Sequence, residues 1–341
     1  MRMNISAMSK SEIAELIREN FNGPSEEIIN AAFSERLKYY GKKVYFRGLI
    51  EFTNYCKNDC YYCGIRNGNK NALRYRLTKD EILECCKEGR ELGFSTFVLQ
   101  GGEDLYFNKS RMCDIIYSIK SAYPDCAITL SVGEKDKETY RAYKDAGADR
   151  YLLRHETACS EHYKKLHPSS LLLENRKKCL YTLRELGFQV GAGFMVGSPY
   201  QTVETLCEDL MFLKELQPHM VGIGPFIPHK DSIFKDEEKG SVSLTLTMLA
   251  LTRLMLPKTL LPATTALASV DDKGRNLGFK VGANVVMPNL SPSYVREKYN
   301  LYDNKKSSGD EAKEGLMELK NTVLLSGLEP DMSRGDSEVK E

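Results

Sequence analysis

The sequence predicts a single α/β domain built as a (βα)8 TIM-type barrel, with a helical cap before it and an extension after it. Three observations carry that prediction. From about residue 44, eight apolar, β-branched or glycine-containing stretches alternate with amphipathic ones. Amphipathic stretches repeatedly stop at glycine, as in "RELGF", "KDAGAD" and a second "RELGF", and several open on Thr followed by acids, as in "TKDE" and "TVETLCED". Eight such units suit a closed parallel sheet better than an open one.

The elements come in order along the chain. Residues 1–40 read as the helical cap, because "MSKSEIAELIREN" and "SEEIINAAFSERLKYYG" are both amphipathic. The barrel takes residues 41–302. Its expected strands run over 44–52, 95–102, 127–133, 150–156, 189–197, 220–228, 260–267 and 283–289. Helical patterns lie between them at 78–92, 108–121, 136–146, 173–186, 202–216 and 243–256. Residues 303–341 read as a C-terminal helix and a charged tail, whose last stretch, "SRGDSEVKE", is expected to be disordered.

A chain of 341 residues can bury one large core. Its net charge of +1 gives no bulk argument for nucleic acid, an acidic partner or a membrane surface. The first twenty residues lack the apolar centre of a signal peptide, and "TLTMLALTRLMLP" is interrupted by Arg253 well short of a bilayer span. The expected location is the cytosol. There, ten cysteines argue for free thiols or metal ligands and against a disulfide framework. Cys85 and Cys86 fall on a helical pattern. Cys113, Cys126, Cys159, Cys179 and Cys207 are isolated and read as small buried apolar residues.

One group has ligand spacing. In "EFTNYCKNDCYYCGIRN", Cys56, Cys60 and Cys63 form C-x3-C-x2-C. A structural zinc site wants four closed ligands, usually as two C-x2-C pairs, and here no fourth Cys or His comes within reach. Three thiolates on a 4Fe–4S cluster leave one iron open to a further ligand. The spacing favours iron–sulfur and keeps a zinc site or an electron-carrier module as alternatives. Polar residues also gather where a barrel builds its active site, at the C-terminal ends of the strands. They are Gln100 with "GGED", Thr129 to Glu134, "RHET", "GSPYQT", Pro225 to His229, Thr264 with Thr265, and Met287 to Asn289.

With Tyr62 just before its last cysteine, this motif at the end of the first strand resembles that of the radical S-adenosylmethionine (SAM) enzymes. The resemblance implies one 4Fe–4S cluster on Cys56, Cys60 and Cys63, with SAM chelating the open iron and being cleaved reductively to a 5′-deoxyadenosyl radical. It also assigns roles. Gly102 and Glu103 of "GGE", beside Gln100, meet the SAM amino group, where an acid suits an ammonium. Glu156 meets the ribose or amino group, Arg176 pairs with the SAM carboxylate, and Thr129, Met287 and Tyr299 supply further contacts.

"FVLQGGED", "YLLRHET", "GAGFMVGSPYQT", "MVGIGPFIPH", "PATTAL", "GANVVMPN" and "YNLY" extend the resemblance to the HydE-type maturases of FeFe-hydrogenase. This closer likeness implies a small substrate, a cysteine-bound iron carbonyl cyanide species, anchored by Arg154, Thr264 and Thr265 and bordered by Tyr302. An electron donor such as ferredoxin or flavodoxin and other hydrogenase maturases are the implied partners; nucleic acid and membrane are not. The residues after 207 hold no cysteine, so only the SAM cluster is expected. Methylornithine synthase and biotin synthase share the barrel, and the former, with one cluster, is the nearer rival.

Overall fold

The structure, a computed structural model, describes residues 5–305 and 312–339. Six parallel strands form the larger sheet in sequence order: β2 (Gly48–Thr53), β3 (Thr96–Gly101), β4 (Ala127–Ser131), β5 (Arg150–Leu152), β6 (Gln189–Val196) and β7 (Met220–Pro225). A second sheet sets β1 (Lys43–Phe46) between β8 (Val285–Val286) and β9 (Glu329–Asp331). Single bridges close the ring: Met220 to Leu260, Pro262 to Val285, and Leu49 to Asn289. Backbone N–H groups of Val221, Ala263 and Leu49 donate across those seams to the carbonyls of Leu260, Val285 and Pro288, each at 2.9 Å. The eight-membered barrel is therefore present, with its last two staves reduced to a few residues.

Local chemistry explains the rhythm. Thr78 caps the helix Lys79–Glu91, and Glu81 reaches back to its N–H at 2.7 Å. Thr202 and Thr205 exchange the same pair of bonds ahead of Val203–Leu216. Strand interiors are apolar on both faces, as a parallel sheet covered by helices requires, with Phe46, Phe52 and Phe97 almost fully buried. The helices Lys10–Glu19 and Glu26–Tyr40 pack on the outer ring, against Val203–Leu216 and Val242–Met255 respectively. Among the described residues no helix is long and apolar enough to cross a membrane.

Three expectations need correction. The stretch 44–52 is not one strand. It breaks at Arg47, whose buried guanidinium turns under the barrel to the Gly335 carbonyl at 3.0 Å. The stretch 260–267 is extended only at its start, because Thr264 caps a short helix, Thr265–Val270. The expected disorder of the tail is overturned as far as residue 339. Strand β9 pairs with β1, and the residues after it run across the N-terminal end of the barrel. Arg150, 3% exposed, donates there to the Asp336 carboxylate at 2.6 Å and the Arg334 carbonyl at 2.7 Å. Arg334 in turn pairs with Asp149 at 3.1 Å. Composition marked this tail as polar; what orders it is a set of charged partners far away in sequence.

Asp336 is the exposed half of that contact. Burial pushes its carboxyl up, but Arg150 and Arg334 outweigh burial and hold it well below the ordinary carboxylate range. Asp336→Ala leaves a buried guanidinium short of a partner and is expected to cost about 2 kcal/mol, less than a fully buried pair would. Urea unfolding should show a lower midpoint at unchanged slope. Because the folded-state carboxyl is held low, the difference from wild type should persist at neutral pH and shrink below about pH 4.

Candidate active site

The three cysteines occupy an irregular turn after β2, and the turn is held from inside. Arg74 sends its guanidinium into it and donates to the carbonyls of Asn54 and Ile65 at 2.5 and 2.8 Å, and to those of Arg66 and Asn69 at 2.7 and 3.2 Å. Asn54 binds the Tyr75 N–H, the Leu73 carbonyl and the Lys298 carbonyl. The Cys63 N–H closes onto the Cys60 carbonyl at 3.1 Å. Burial pushes all three thiols up, Cys63 to about 12. Thiolates there need a cation to offset the lost solvation, which a metal supplies.

Among the described residues no three His, Cys, Asp or Glu side chains converge as one bound metal ion requires. The thiols neighbour one another without meeting at a point. Three cysteines in the turn, one short of a closed tetrahedral zinc site, suit a cluster that leaves one iron open.

A chain of charged groups runs from this turn across the C-terminal ends of β3 to β5. The Glu103 N–H donates to Cys56 Sγ at 3.4 Å. Gly102 lets the two loops touch, since a Cβ there would stand 2.2 Å from the Tyr55 carbonyl oxygen and 2.8 Å from Cys56 Cβ. The Glu103 carboxylate accepts from the Glu134 N–H at 2.9 Å and pairs with Lys57 at 3.2 Å. Glu134 accepts from Arg176 Nε at 2.5 Å, and Arg176 Nη1 donates to the Arg154 carbonyl at 2.9 Å. Although burial works against the Arg176 charge, Tyr163, Glu134, Tyr62 and Glu103 around it keep it firmly cationic.

The chain ends on an incompletely satisfied pair. Arg154 Nη2 lies 3.2 Å from Glu156 Oε2, out of line for a hydrogen bond. Both atoms, with Arg154 Nε, are buried without a hydrogen-bond partner. Glu156 also adopts a left-handed backbone, φ 65°, which is uncommon outside glycine. Unsatisfied buried groups at a strained strand end are the mark of a ligand site.

Other expected residues lie around this core at different depths. Tyr62 is 3.2 Å from His167 Nε2, under the cysteine turn. Gln100 is the penultimate residue of β3 and bonds to Tyr299, which is 2% exposed. Burial pushes the Tyr302 phenol to about 12; its hydroxyl bonds to Ser269, and Glu51 and Arg154 are close enough to influence it. Thr264 Oγ1 caps its helix, accepting from the Leu267 N–H at 3.3 Å, and Thr265 is the first residue of that helix. Met287 packs beside Tyr40, Met220, Leu260 and Val285. Thr129 sits lower, on an interior cavity of about 10 Å³ that it shares with Arg47, Arg150 and Met220, and its hydroxyl has no hydrogen-bond partner. It does not touch the chain from Glu103 to Glu156.

Sequence reasoning left several residues without roles. Glu134 was visible as an acid at a strand end, but only folding shows that it links Glu103 to Arg176. Glu51, 1% exposed, pairs with Lys305 and accepts from Asn289 at 2.8 Å beneath the expected Tyr299. His155 faces away from the barrel axis. Its Nδ1 accepts from the Gly193 N–H at 3.4 Å, and its Nε2 is 3.3 Å from Asp209, both residues fully buried. Asp209 also accepts from the Ala158 N–H at 2.5 Å. Burial pushes the Asp209 carboxyl well up and the His155 imidazole well down, so the pair sits in the dry core uncharged. Its readable signal was an acid on the apolar stripe of Leu206, Leu210 and Leu213.

This pair clamps residues 154–158 from behind. Asp209→Ala strands the buried Ala158 N–H and removes the group facing His155, and is expected to cost about 2 kcal/mol, at about 1–3 kcal/mol for an unpaired buried group. Asp209→Asn keeps an acceptor and should cost less than half as much. Denaturant midpoints of the two variants check the difference.

The profile of the Radical SAM superfamily matches residues 50–213. The FeFe hydrogenase maturase subunit HydE of Thermotoga maritima is 47% identical over 87% of this chain and 84% of its own length. The 3-methylornithine synthase of Methanosarcina barkeri is 30% identical over 82% of this chain and 78% of its own. The crystal structure of methylornithine synthase (PylB) superposes with a TM-score of 0.82 at 26% identity, covering 94% of this chain and 97% of that one. The chain belongs to the radical SAM superfamily of iron–sulfur enzymes and, within it, to the family of the FeFe hydrogenase maturase subunit HydE.

Proposed function

We propose that this cytosolic enzyme cleaves SAM reductively inside its barrel and directs the radical onto a small anionic substrate, a cysteine-bound iron carbonyl cyanide species of FeFe-hydrogenase maturation. One observation carries the reading: the cysteine turn and the Arg154–Glu156 pair are joined through Glu103, Glu134 and Arg176, by side-chain and backbone hydrogen bonds, at the mouth of one barrel. Cys56, Cys60 and Cys63 would hold the 4Fe–4S cluster, and the buried, cation-seeking thiols fit it. When bound and reduced, the cluster supplies the electron that breaks the sulfonium bond of SAM.

The protein's own groups do the rest. Glu103 and Glu156 offer carboxylates to the SAM ammonium and ribose. Arg176, kept charged by Glu134, sits where a carboxylate can pair with it. Arg154 presents buried donors without partners to an anion, with Tyr302 close enough to feel its charge, and Thr264 and Thr265 would add hydroxyl donors. Gln100 and Tyr299 would border the SAM side; Thr129 and Met287, which lie deeper, would contact SAM only if it reaches down the barrel. The closed ring and the tail beneath it keep water from the radical. The FeFe-hydrogenase reading is preferred to the methylornithine reading because identity to the maturase is 47%, against 30% to the synthase.

The test is anaerobic reconstitution with iron and sulfide, reduction by dithionite, addition of SAM, and assay of 5′-deoxyadenosine. Wild type should form it and Cys60→Ala should not. Glu156→Gln should lower the rate about 10–100-fold, equivalent to about 1.4–2.7 kcal/mol of barrier. The iron–cysteine synthon should accelerate SAM cleavage, while free cysteine should not. Equal cleavage by wild type and Cys60→Ala would refute the cluster assignment; indifference to the synthon would refute the substrate.

A further inference from the structure

We propose that Glu51 and Lys305 form the latch of the substrate entrance, an ion pair that holds residues 298–305 shut across the barrel mouth and parts to admit a small anion. The inference rests on the proposed function, which needs a closed barrel during cleavage and a way in before it.

Segment 298–305 runs from the cysteine turn to the residues after β7. The Asn54 side chain donates to the Lys298 carbonyl at 2.7 Å. The Gly64 N–H, next in the chain to Cys63, donates to the Leu301 carbonyl at 2.9 Å, and a Cβ on Gly64 would stand 2.2 Å from the Asn300 carbonyl oxygen. Farther on, the Asp303 N–H donates to the Pro228 carbonyl at 3.1 Å, and the Asp303 carboxylate accepts from the Lys230 N–H at 2.7 Å. Tyr299 and Tyr302 are carried on this cover.

Lys305 reaches back beneath it. Its ammonium pairs with the Glu51 carboxylate, donates to the Tyr299 carbonyl at 3.0 Å and lies 4.8 Å from the Tyr299 ring centroid. Glu51 is fixed on β2 by three further bonds. Its N–H donates to Ser291 Oγ at 2.7 Å, its carbonyl accepts from the Tyr75 hydroxyl at 2.7 Å, and its carboxylate accepts from Asn289 at 2.8 Å. The carboxylate is thus the fixed half of the latch, and the lysine, on its flexible four-carbon stem, is the half that moves. Side-chain exposures of 1% for Glu51 and 14% for Lys305 keep the pair largely out of water. An ion pair at that depth is a weak source of net stability, and its best-attested use is to fix one arrangement over others.

A cavity of about 210 Å³ lies against the latch. Glu297 and Asn304 form its exposed rim, while Asn289, Tyr299 and Lys305 line it deeper in. It therefore leads from solvent to the groups that surround Glu51. Arg296 and Lys305 set two cations on its walls against the one carboxylate of Glu297, which favours an anion as the entering molecule. Parting of the ion pair joins this vestibule to the barrel, where Arg154 holds donors without partners. A gate of this kind governs how fast a ligand enters and leaves, and by itself leaves the affinity alone.

The experiment follows the iron–cysteine synthon entering the reconstituted, SAM-loaded enzyme by stopped flow, and reads hydrogen exchange of the same variants by mass spectrometry. In Glu51→Gln and Lys305→Met, association and dissociation should both quicken about tenfold, with Kd within about threefold of wild type. Lys305→Arg keeps the charge and should stay near wild type. The peptide containing Asp303 should exchange about tenfold faster in the first two variants, and peptides of β3 at the wild-type rate. Faster dissociation alone, with a raised Kd, would make Lys305 a substrate ligand and overturn the latch. Unchanged exchange around Asp303 would overturn it equally. Faster exchange in the variants, with no synthon bound even by wild type, would uphold the latch and refute the substrate of the functional reading instead.

Discussion

Charge held in a dry place is the constraint on which this site depends. Glu103, Glu134 and Arg176 come from the ends of β3 and β4 and from the helix Leu173–Glu185, and each is mostly removed from water. None of them is affordable alone at that depth. Linked, they offset one another, and the order of the links fixes where the remaining unsatisfied groups stand. Arg176 reaches the Arg154 carbonyl, so the strand end carrying Arg154 and Glu156 is placed by the same guanidinium that neutralises Glu134. Breaking the chain at Glu134 would both uncover a buried cation and release that strand end.

Packing behind the site serves the same end. The uncharged His155–Asp209 pair ties residues 155 and 158 to the helix Val203–Leu216, and the backbone N–H of Glu156 bonds to the Gly193 carbonyl at 3.0 Å. A left-handed glutamate persists only where its surroundings over-determine it. At the opposite end, Arg47 and Arg150 would be costly holes in the core without the tail. Gly335, Arg334 and Asp336 close them. A barrel that must exclude water from a radical has thus been sealed with polar groups from its own C-terminal segment.

The reading from sequence succeeded where the signal was local. Alternation, helix caps and the cysteine spacing are short-range features, and they were enough to indicate the eight-stranded ring and the turn after the first strand. It weakened where long-range partners decide. Nothing near residue 47 announces that the strand must break to send Arg47 downward, and the polar tail reads as disordered until Asp149 and Arg150 are known to lie beneath it. Thr264 and Thr265 carry strand propensity, yet a helix cap claims them. Glu134 and Asp209 were visible as acids in conspicuous positions; their partners, 42 and 54 residues away, were not. The depth of Thr129 likewise comes from strand stagger, which no motif records.

The most direct test is spectroscopic. Electron–nuclear double resonance on the reduced, reconstituted enzyme, with SAM carrying 15N at its amino group, reports whether that nitrogen binds a cluster iron. A resolved 15N coupling in wild type, absent in Cys60→Ala, is the result expected of three cysteines that leave one iron for SAM. A 4Fe–4S signal indifferent to SAM, with no nitrogen coupling, would contradict it and return the cysteine turn to electron carriage alone.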